Sequence, residues 1–198
     1  DNLIKPDLVA PGNKIIGSRA YHNGTENLLA RTLTMLRTGT STVNTEKVMY
    51  MSGTSMAAPI VAAAAMNLKQ VNNNLTPNLV KAILMYSAQP LSGFNSLEQG
   101  AGLLNIDGAV RIARLVKTTM PTSNGTSLLA SGKALPSSQT SSIWGETIYW
   151  GKGVITNFGF LHGNDLMNKW QGMYANGVLV GDGTTFSGST MTRSTTRT

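Results

Sequence analysis

One segment, Gly53–Pro59, constrains the fold of this chain more than any other. It reads Gly-Thr-Ser-Met-Ala-Ala-Pro, with small residues around a central serine, and an apolar run over 60–71 follows at once. Gly53 allows a sharp backbone bend, and the apolar run predicts a helix that begins near Ser55. The first N–H groups of a helix have no acceptor within it, and its dipole favours negative charge there. The pattern predicts an exposed Ser55 hydroxyl at a helix start, which is how folds present a nucleophile.

The same helix carries two further expectations. It is apolar on almost every face, and alanines stand at 57, 58 and 62–65. Such a composition is typical of a central helix that is packed on all sides. Proline fits a helix best in the first turn, where no internal hydrogen bond is donated. We therefore expect a fully buried helix over about 55–70, with Pro59 in its first turn.

Composition and charge narrow the class of protein. The chain has 198 residues, of which 41% are apolar and 13% charged, so it can bury a sizeable core. It contains no cysteine, which excludes disulfides, a thiol nucleophile and cysteine-based metal sites. The net charge is +7, but the basic residues are scattered, and we expect no nucleic-acid partner. No stretch has the length and flanks of a membrane span or a signal peptide.

Local signals place the other elements up to residue 117. Thr76 followed by Pro77 predicts the start of a second helix, and Asn105 predicts the cap of a third helix over 106–117. The remaining segments are predicted as strands over 3–9, 14–16 and 48–51 and as loops over 18–47 and 87–98.

Composition changes abruptly after residue 117. Residues 118–142 are rich in Thr, Ser, Gly and Pro, which predicts a linker. Over 143–198 aromatic residues return between closely spaced glycines, which predicts a small β-like extension of short strands and turns. Residues 191–198 are predicted to be a disordered tail. Asp182 stands between two glycines, but one carboxylate is too few for a calcium loop, so a plain turn is expected there.

Three runs of sequence carry a resemblance to a known family. The run Gly53–Pro59 resembles the nucleophile motif of the subtilases, the subtilisin-like serine peptidases. The run Lys5–Gly12, Lys-Pro-Asp-Leu-Val-Ala-Pro-Gly, is similar to the strand and turn before that motif, and Gln99–Asn105 resembles the family's last glycine-rich turn. The resemblance covers 1–117. It implies an α/β fold with a mostly parallel sheet flanked by helices, as the C-terminal part of a peptidase domain, before the linker at 118–142 and the extension at 143–198.

The resemblance also implies an activity and a site. The reaction is peptide-bond hydrolysis through an acyl-enzyme on Ser55, whose backbone N–H meets the oxyanion. Thr54 supports that oxyanion site, and Gly53 forms the turn before the nucleophile. The implied substrates are proteins or peptides, the implied location is secreted or extracellular, and no cofactor is required for catalysis. Structural calcium is compatible with the family, but the resemblance assigns no site for it.

A serine nucleophile needs a base and an acid that orients the base. Subtilases carry these residues in the chain order Asp, His, Ser. Both motifs, and the oxyanion-hole Asn, are therefore expected upstream of Asp1, and we expect the 198-residue chain alone to be inactive. His22 echoes the family's His-Gly-Thr motif, but an Asn interrupts it; His162 lies in the extension, and neither is expected to be the base. Asp7 is expected to belong to the scaffold.

Two other functions stay open at the level of sequence. The protein could be a non-catalytic surface or binding protein on a degenerate subtilase scaffold, with the aromatic extension as its binding part. Catalytic Asp and His motifs upstream would argue against that alternative. The extension could also bind carbohydrate, because exposed Trp and Tyr side chains can stack on sugars.

Overall fold

The structure, a computed structural model, describes residues 5–22, 25–26, 28, 48–121, 126–155, 160–162, 184–187 and 190–193. The chain divides into two units, one of residues 10–62 and the other of residues 1–9 with 63–198. The boundary at residue 62 falls inside a continuous helix.

Short antiparallel ladders organise the unit of residues 10–62. Its strands are β1 (Ile15–Ser18), β2 (Tyr21–His22), β3 (Thr25–Glu26) and β4 (Val48–Met51). β1 pairs with β4, with Ile15 opposite Met51 and Ser18 opposite Val48, and β2 pairs with β3. The strand predicted over 48–51 is confirmed, and the strand predicted over 14–16 lies slightly later in the chain.

Helix α1 (Thr54–Val71) follows β4 and contains a proline in its interior. Because the helix begins at Thr54, Pro59 is its sixth residue and lies in the second turn. The prediction that Pro59 falls in the first turn is therefore wrong. Proline has no N–H, so Pro59 cannot make the helical hydrogen bond to the carbonyl of Ser55.

The burial of α1 also differs from the expectation. Of its 18 residues only Ala64 and Leu68 are buried, and Met66 is 67% exposed. The prediction of a helix packed on all sides is therefore wrong for this chain. An apolar pattern shows which faces a helix can bury, whereas burial itself needs neighbouring segments to cover them. The exposed apolar residues of α1 are Ala58, Pro59, Ala62, Ala63, Met66 and Val71.

The second unit contains two helices whose starts follow the sequence prediction. Helix α2 (Pro77–Ser87) is capped by Thr76, whose Oγ1 accepts a hydrogen bond from the Leu79 N–H at 3.2 Å. Asn105 Oδ1 accepts from the Gly108 N–H at 3.0 Å and so caps a later helix. In both cases a side-chain oxygen satisfies an N–H that the first helical turn leaves without a partner.

The short helix α3 (Ser96–Gln99) lies where the sequence predicts only a loop. Asn95 and Glu98 form a reciprocal capping box at its start. The later helix, α4 (Ile106–Ala113), ends at Ala113 and not at 117 as predicted. α2 packs against α4, and the side chains of both helices fill the core of this unit.

The described strands after residue 126 form three antiparallel pairs. They are β5 (Thr140–Ile143), β6 (Glu146–Tyr149), β7 (Gly153–Ile155), β8 (Phe160–His162), β9 (Thr184–Ser187) and β10 (Thr190–Arg193). Each pairs with its neighbour in the chain in antiparallel register. Short strands are therefore present, as predicted, in the described part of 143–198. Because 191–193 belong to β10, the predicted disordered tail does not begin at 191; Asp182 lies outside the described residues.

The described part of the predicted linker, 118–121 and 126–142, is packed against the helices. Leu128, Leu129 and Leu135 are buried, and the Lys117 N–H donates to the Leu128 carbonyl at 2.8 Å. The Tyr86 hydroxyl of α2 donates to Gln139 Oε1 at 2.7 Å. Burial raises the pKa of Tyr86 to about 12, and the hydrogen bond to Gln139 opposes that shift only in part. The domain boundaries at 117 and 142 stay a prediction.

Helices with small sheets are consistent with part of an α/β domain. Within the described ranges the strand pairs are antiparallel, and one isolated parallel bridge joins Val9 to Leu103. The mostly parallel sheet stays a prediction. In that same part of the chain, no helix combines the length and hydropathy that a membrane crossing requires.

Asp7 lies in an ion cluster that ties the segment 5–9 to α2. Its Oδ2 is 2.8 Å from Lys5 Nζ, and its Oδ1 is 2.9 Å from Lys81 Nζ. Burial alone would raise the pKa of Asp7, but the hydrogen bonds and charges of the two lysines outweigh it and lower the pKa below its usual value. Asp7 is thus held in its ionised form by its neighbours in the scaffold.

We expect Asp7→Asn to lower the free energy of unfolding by about 1 kcal/mol at neutral pH. A lowered folded-state pKa stabilises fully above the unfolded pKa of about 4, and that stabilisation disappears as the pH falls through the folded value. In urea titrations of the native-length protein, the difference from wild type should therefore shrink as the pH falls below the unfolded pKa and vanish once the pH is below the lowered folded pKa of Asp7. Asp107→Asn is the control, since Asp107 Oδ2 lies 3.8 Å from Arg111 at an exposed site. If Asp7→Asn lowered the free energy of unfolding by the same amount at every pH, the ionic explanation would be contradicted.

Candidate active site

Ser55 lies where the structure changes from strand to helix. β4 ends at Met51, and Ser52 and Gly53 form the turn before α1. Gly53 has a φ of +149°, in the region that favours glycine. Ser55 is the second residue of α1, and both Ser55 and Thr54 are exposed. The three residues singled out in the sequence, Gly53, Thr54 and Ser55, are therefore neighbours at one exposed helix start.

The first turn of α1 leaves N–H groups beside the Ser55 hydroxyl. The N–H groups of Met56 and Ala57 both donate to the Gly53 carbonyl, at 3.0 and 3.3 Å. The N–H groups of Thr54 and Ser55 precede these bonds, so the helix itself offers them no acceptor. The positive end of the helix dipole lies at the same place. An exposed hydroxyl beside such donors can attack a carbonyl whose oxygen becomes negatively charged.

A second segment, the loop 11–14, lies against this turn. The Gly53 N–H donates to the Gly12 carbonyl at 2.7 Å. A Cβ on residue 12 would lie 2.7 Å from the Gly53 carbonyl oxygen and 3.2 Å from Ala57 Cβ. Glycine at position 12 is therefore required by the close approach of the loop to the helix start.

Side chains add two hydrogen bonds between the loop 11–14 and the turn. The Ser52 hydroxyl donates to Asn13 Oδ1 at 3.0 Å, and its oxygen accepts from the Lys14 N–H at 2.9 Å. No sequence motif marked Ser52 or Asn13 as part of the site. They are separated by 39 residues, so no local pattern connects them; the flanking position of Ser52, directly before Gly53, was the available signal.

The remaining candidates for chemistry are only partly described. His22 belongs to β2 and His162 to β8, and their side chains lie outside the described part of the chain. The predictions that neither is the base therefore stay predictions. Among the described residues, no group of three or more His, Asp or Glu side chains is arranged to hold a metal ion.

A model of a known family matches a range of the chain that includes this site. The model of the subtilase family of peptidases matches residues 1–110. That range contains the loop 11–14, Gly53–Ser55 and all of α1.

Individual relatives match about half of the chain. A subtilisin-like protease, SBT1.9, of Arabidopsis thaliana is 31% identical over 117 residues, which are 59% of this chain and 14% of that protein. The serine protease AprX of Bacillus subtilis is 34% identical over 106 residues, 54% of this chain and 22% of that protein. A serine protease/ABC transporter B family protein, tagD, of Dictyostelium discoideum is 36% identical over 108 residues, 47% of this chain and 6% of that protein. The chain thus spans less than a quarter of the length of each of these relatives.

Proposed function

Because this chain belongs to the subtilase family, we propose that it forms the nucleophile-bearing part of a serine endopeptidase. The observation that carries the proposal is the exposed hydroxyl of Ser55 on the second residue of α1, directly after the turn at Gly53. Relatives named as serine or subtilisin-like proteases support the general activity.

In the proposed mechanism, the Ser55 Oγ attacks the carbonyl carbon of a peptide bond. A base takes the Ser55 proton and passes it to the leaving amine, and water then hydrolyses the acyl-enzyme. The Ser55 N–H meets the oxyanion, which the helix dipole also favours. Thr54 borders this oxyanion site, and Gly53 gives the turn its bend.

We place the base and its orienting acid outside these 198 residues. The subtilase order of Asp, His and Ser puts both motifs before the serine, and the chain holds neither in recognisable form. The exposed apolar residues of α1 support this assignment, because they form a surface that the rest of a peptidase domain would cover. Met66, 67% exposed in the middle of the helix, is the largest of them.

The proposal extends to substrates and surroundings. The substrates are proteins or peptides, and the oxyanion and acyl-transfer steps need no cofactor. Secretion and a structural calcium ion are further proposals that rest on the family alone. The residues after 117 have no assigned part in catalysis.

The test is covalent labelling of the native-length protein with a fluorophosphonate probe, followed by peptide mapping. An activated serine attacks the phosphorus and displaces fluoride, so the label marks the nucleophile. We expect one labelled residue, Ser55, on a species longer than 198 residues. The 198-residue chain alone should not react, because it lacks the base.

Two outcomes would contradict the proposal. Absence of label on folded native-length protein, while a control subtilisin reacts, would favour the non-catalytic scaffold. Label on the isolated chain would show that it contains its own base, and His22 and His162 would then be the candidates.

A further inference from the structure

We propose that Ser52 and Asn13 are positioning residues for the nucleophile, and that their hydrogen bond fixes the loop 11–14 against the turn before Ser55. The proposal rests on the proposed peptidase function and concerns residues to which neither the family motif nor the mechanism gives a role.

The Ser52 hydroxyl extends the β1–β4 ladder beyond its last backbone pair. Ile15 lies opposite Met51, so the next pair in register would be Lys14 and Ser52. Lys14 has a φ of +53°, which takes its backbone out of the extended conformation. Its N–H nevertheless has an acceptor, because Ser52 Oγ lies 2.9 Å away. The Ser52 side chain thus supplies the hydrogen bond to Lys14 that a further backbone pair of the ladder would have made.

The same hydroxyl also donates its proton, so both of its hydrogen-bonding functions are used between the two segments. Ser52 Oγ lies 3.0 Å from Asn13 Oδ1, and the adjacent Gly53 N–H donates to the Gly12 carbonyl at 2.7 Å. Three consecutive residues of the loop, 12–14, are therefore hydrogen-bonded to two consecutive residues of the turn, 52 and 53. These bonds fix the backbone from which α1, and with it Ser55, begins.

Ser52 therefore orients the nucleophile Ser55 and does not itself form a bond to the substrate. Ser52 is three residues before Ser55, and its hydroxyl is engaged by Asn13 and Lys14. Loss of these bonds leaves Gly53 held only by its own N–H, so the direction of the first turn of α1 is less well fixed. A displacement of the reacting group by about 1 Å costs up to about 100-fold in rate. Loss of the hydrogen bonds of Ser52 alone should lower the rate about tenfold.

The test compares variants of the native-length protein in peptide hydrolysis. We expect Ser52→Ala to lower kcat about tenfold with KM nearly unchanged. Ser52→Thr retains the hydroxyl and should restore most of the rate. Asn13→Ala removes only one of the two hydrogen bonds of Ser52 and should lower kcat less than Ser52→Ala does. The double variant should be no worse than Ser52→Ala, because that substitution already removes the bond to Asn13.

Ser18→Ala is the matched control. Ser18 is also an exposed serine on the β1–β4 ladder, but it lies at the opposite end, paired with Val48. Equal kcat in wild type and Ser52→Ala, with label on Ser55 in both, would overturn the positioning role alone. A kcat loss that Ser52→Thr does not rescue, or that Ser18→Ala shares, would also overturn it. Wild-type protein without label on Ser55 would instead overturn the proposed function on which it rests.

Discussion

Ser55→Ala should abolish fluorophosphonate labelling of the native-length protein and lower kcat for peptide hydrolysis by about 10⁵- to 10⁶-fold. The alanine variant has no oxygen at the position that α1 presents to solvent, so no acyl-enzyme can form. Helix α1 should persist, because alanine is an excellent helix former and the bonds from Met56 and Ala57 to the Gly53 carbonyl do not involve the Ser55 side chain.

Neighbouring substitutions make this prediction specific. Thr54→Ala retains the nucleophile and should reduce kcat far less than Ser55→Ala. Ser92→Ala removes a hydroxyl from an exposed loop of the other unit and should change nothing. Rates are measured with a peptide substrate, and circular dichroism confirms that each variant is folded. Residual hydrolysis by Ser55→Ala at more than a thousandth of the wild-type rate would show that another residue is the nucleophile.

Trp150→Ala should lower the free energy of unfolding by about 3–5 kcal/mol, the range for a buried aromatic side chain. Trp150 is 3% exposed, and its Nε1 donates to Ser141 Oγ at 3.0 Å. Asn105, the cap of α4, donates from Nδ2 to the same oxygen at 3.1 Å. The Arg111 guanidinium lies 5.3 Å from the centre of the indole ring. Removal of the indole therefore leaves a cavity beside the start of α4.

The chain provides a matched control for this substitution. Trp144 is 100% exposed in the turn between β5 and β6, so Trp144→Ala should change stability by no more than about 0.5 kcal/mol. Urea unfolding of the native-length protein is followed by far-UV circular dichroism, because removal of a tryptophan alters the fluorescence signal itself. Equal effects of the two substitutions would show that Trp150 is not packed against α4.

The starts of α2 and α4 could be predicted because capping is local chemistry. Thr76 and Asn105 each bond an N–H three residues ahead, so the necessary residues stand together in the sequence. The helix start at Thr54 was predictable for a similar reason, since Gly53 and the apolar run adjoin it. The end of α4 could not be predicted in this way, because the backbone of its last predicted turn forms hydrogen bonds with residues 128–130 instead of continuing the helix.

By itself, the sequence determined the family, the exposed position of Ser55 at a helix start and the caps of α2 and α4. The tertiary structure alone decided the packing of Trp150 against α4, the hydrogen bond between Ser52 and Asn13, and the exposure of α1. The physical reason is the sequence distance that these contacts span: 38 and 39 residues separate the partners of Ser52 from it, and 36 separate Asn105 from Ser141. The local sequence determines which groups of a segment can be buried or hydrogen-bonded. Which residues they contact is determined only when segments distant in the sequence pack together.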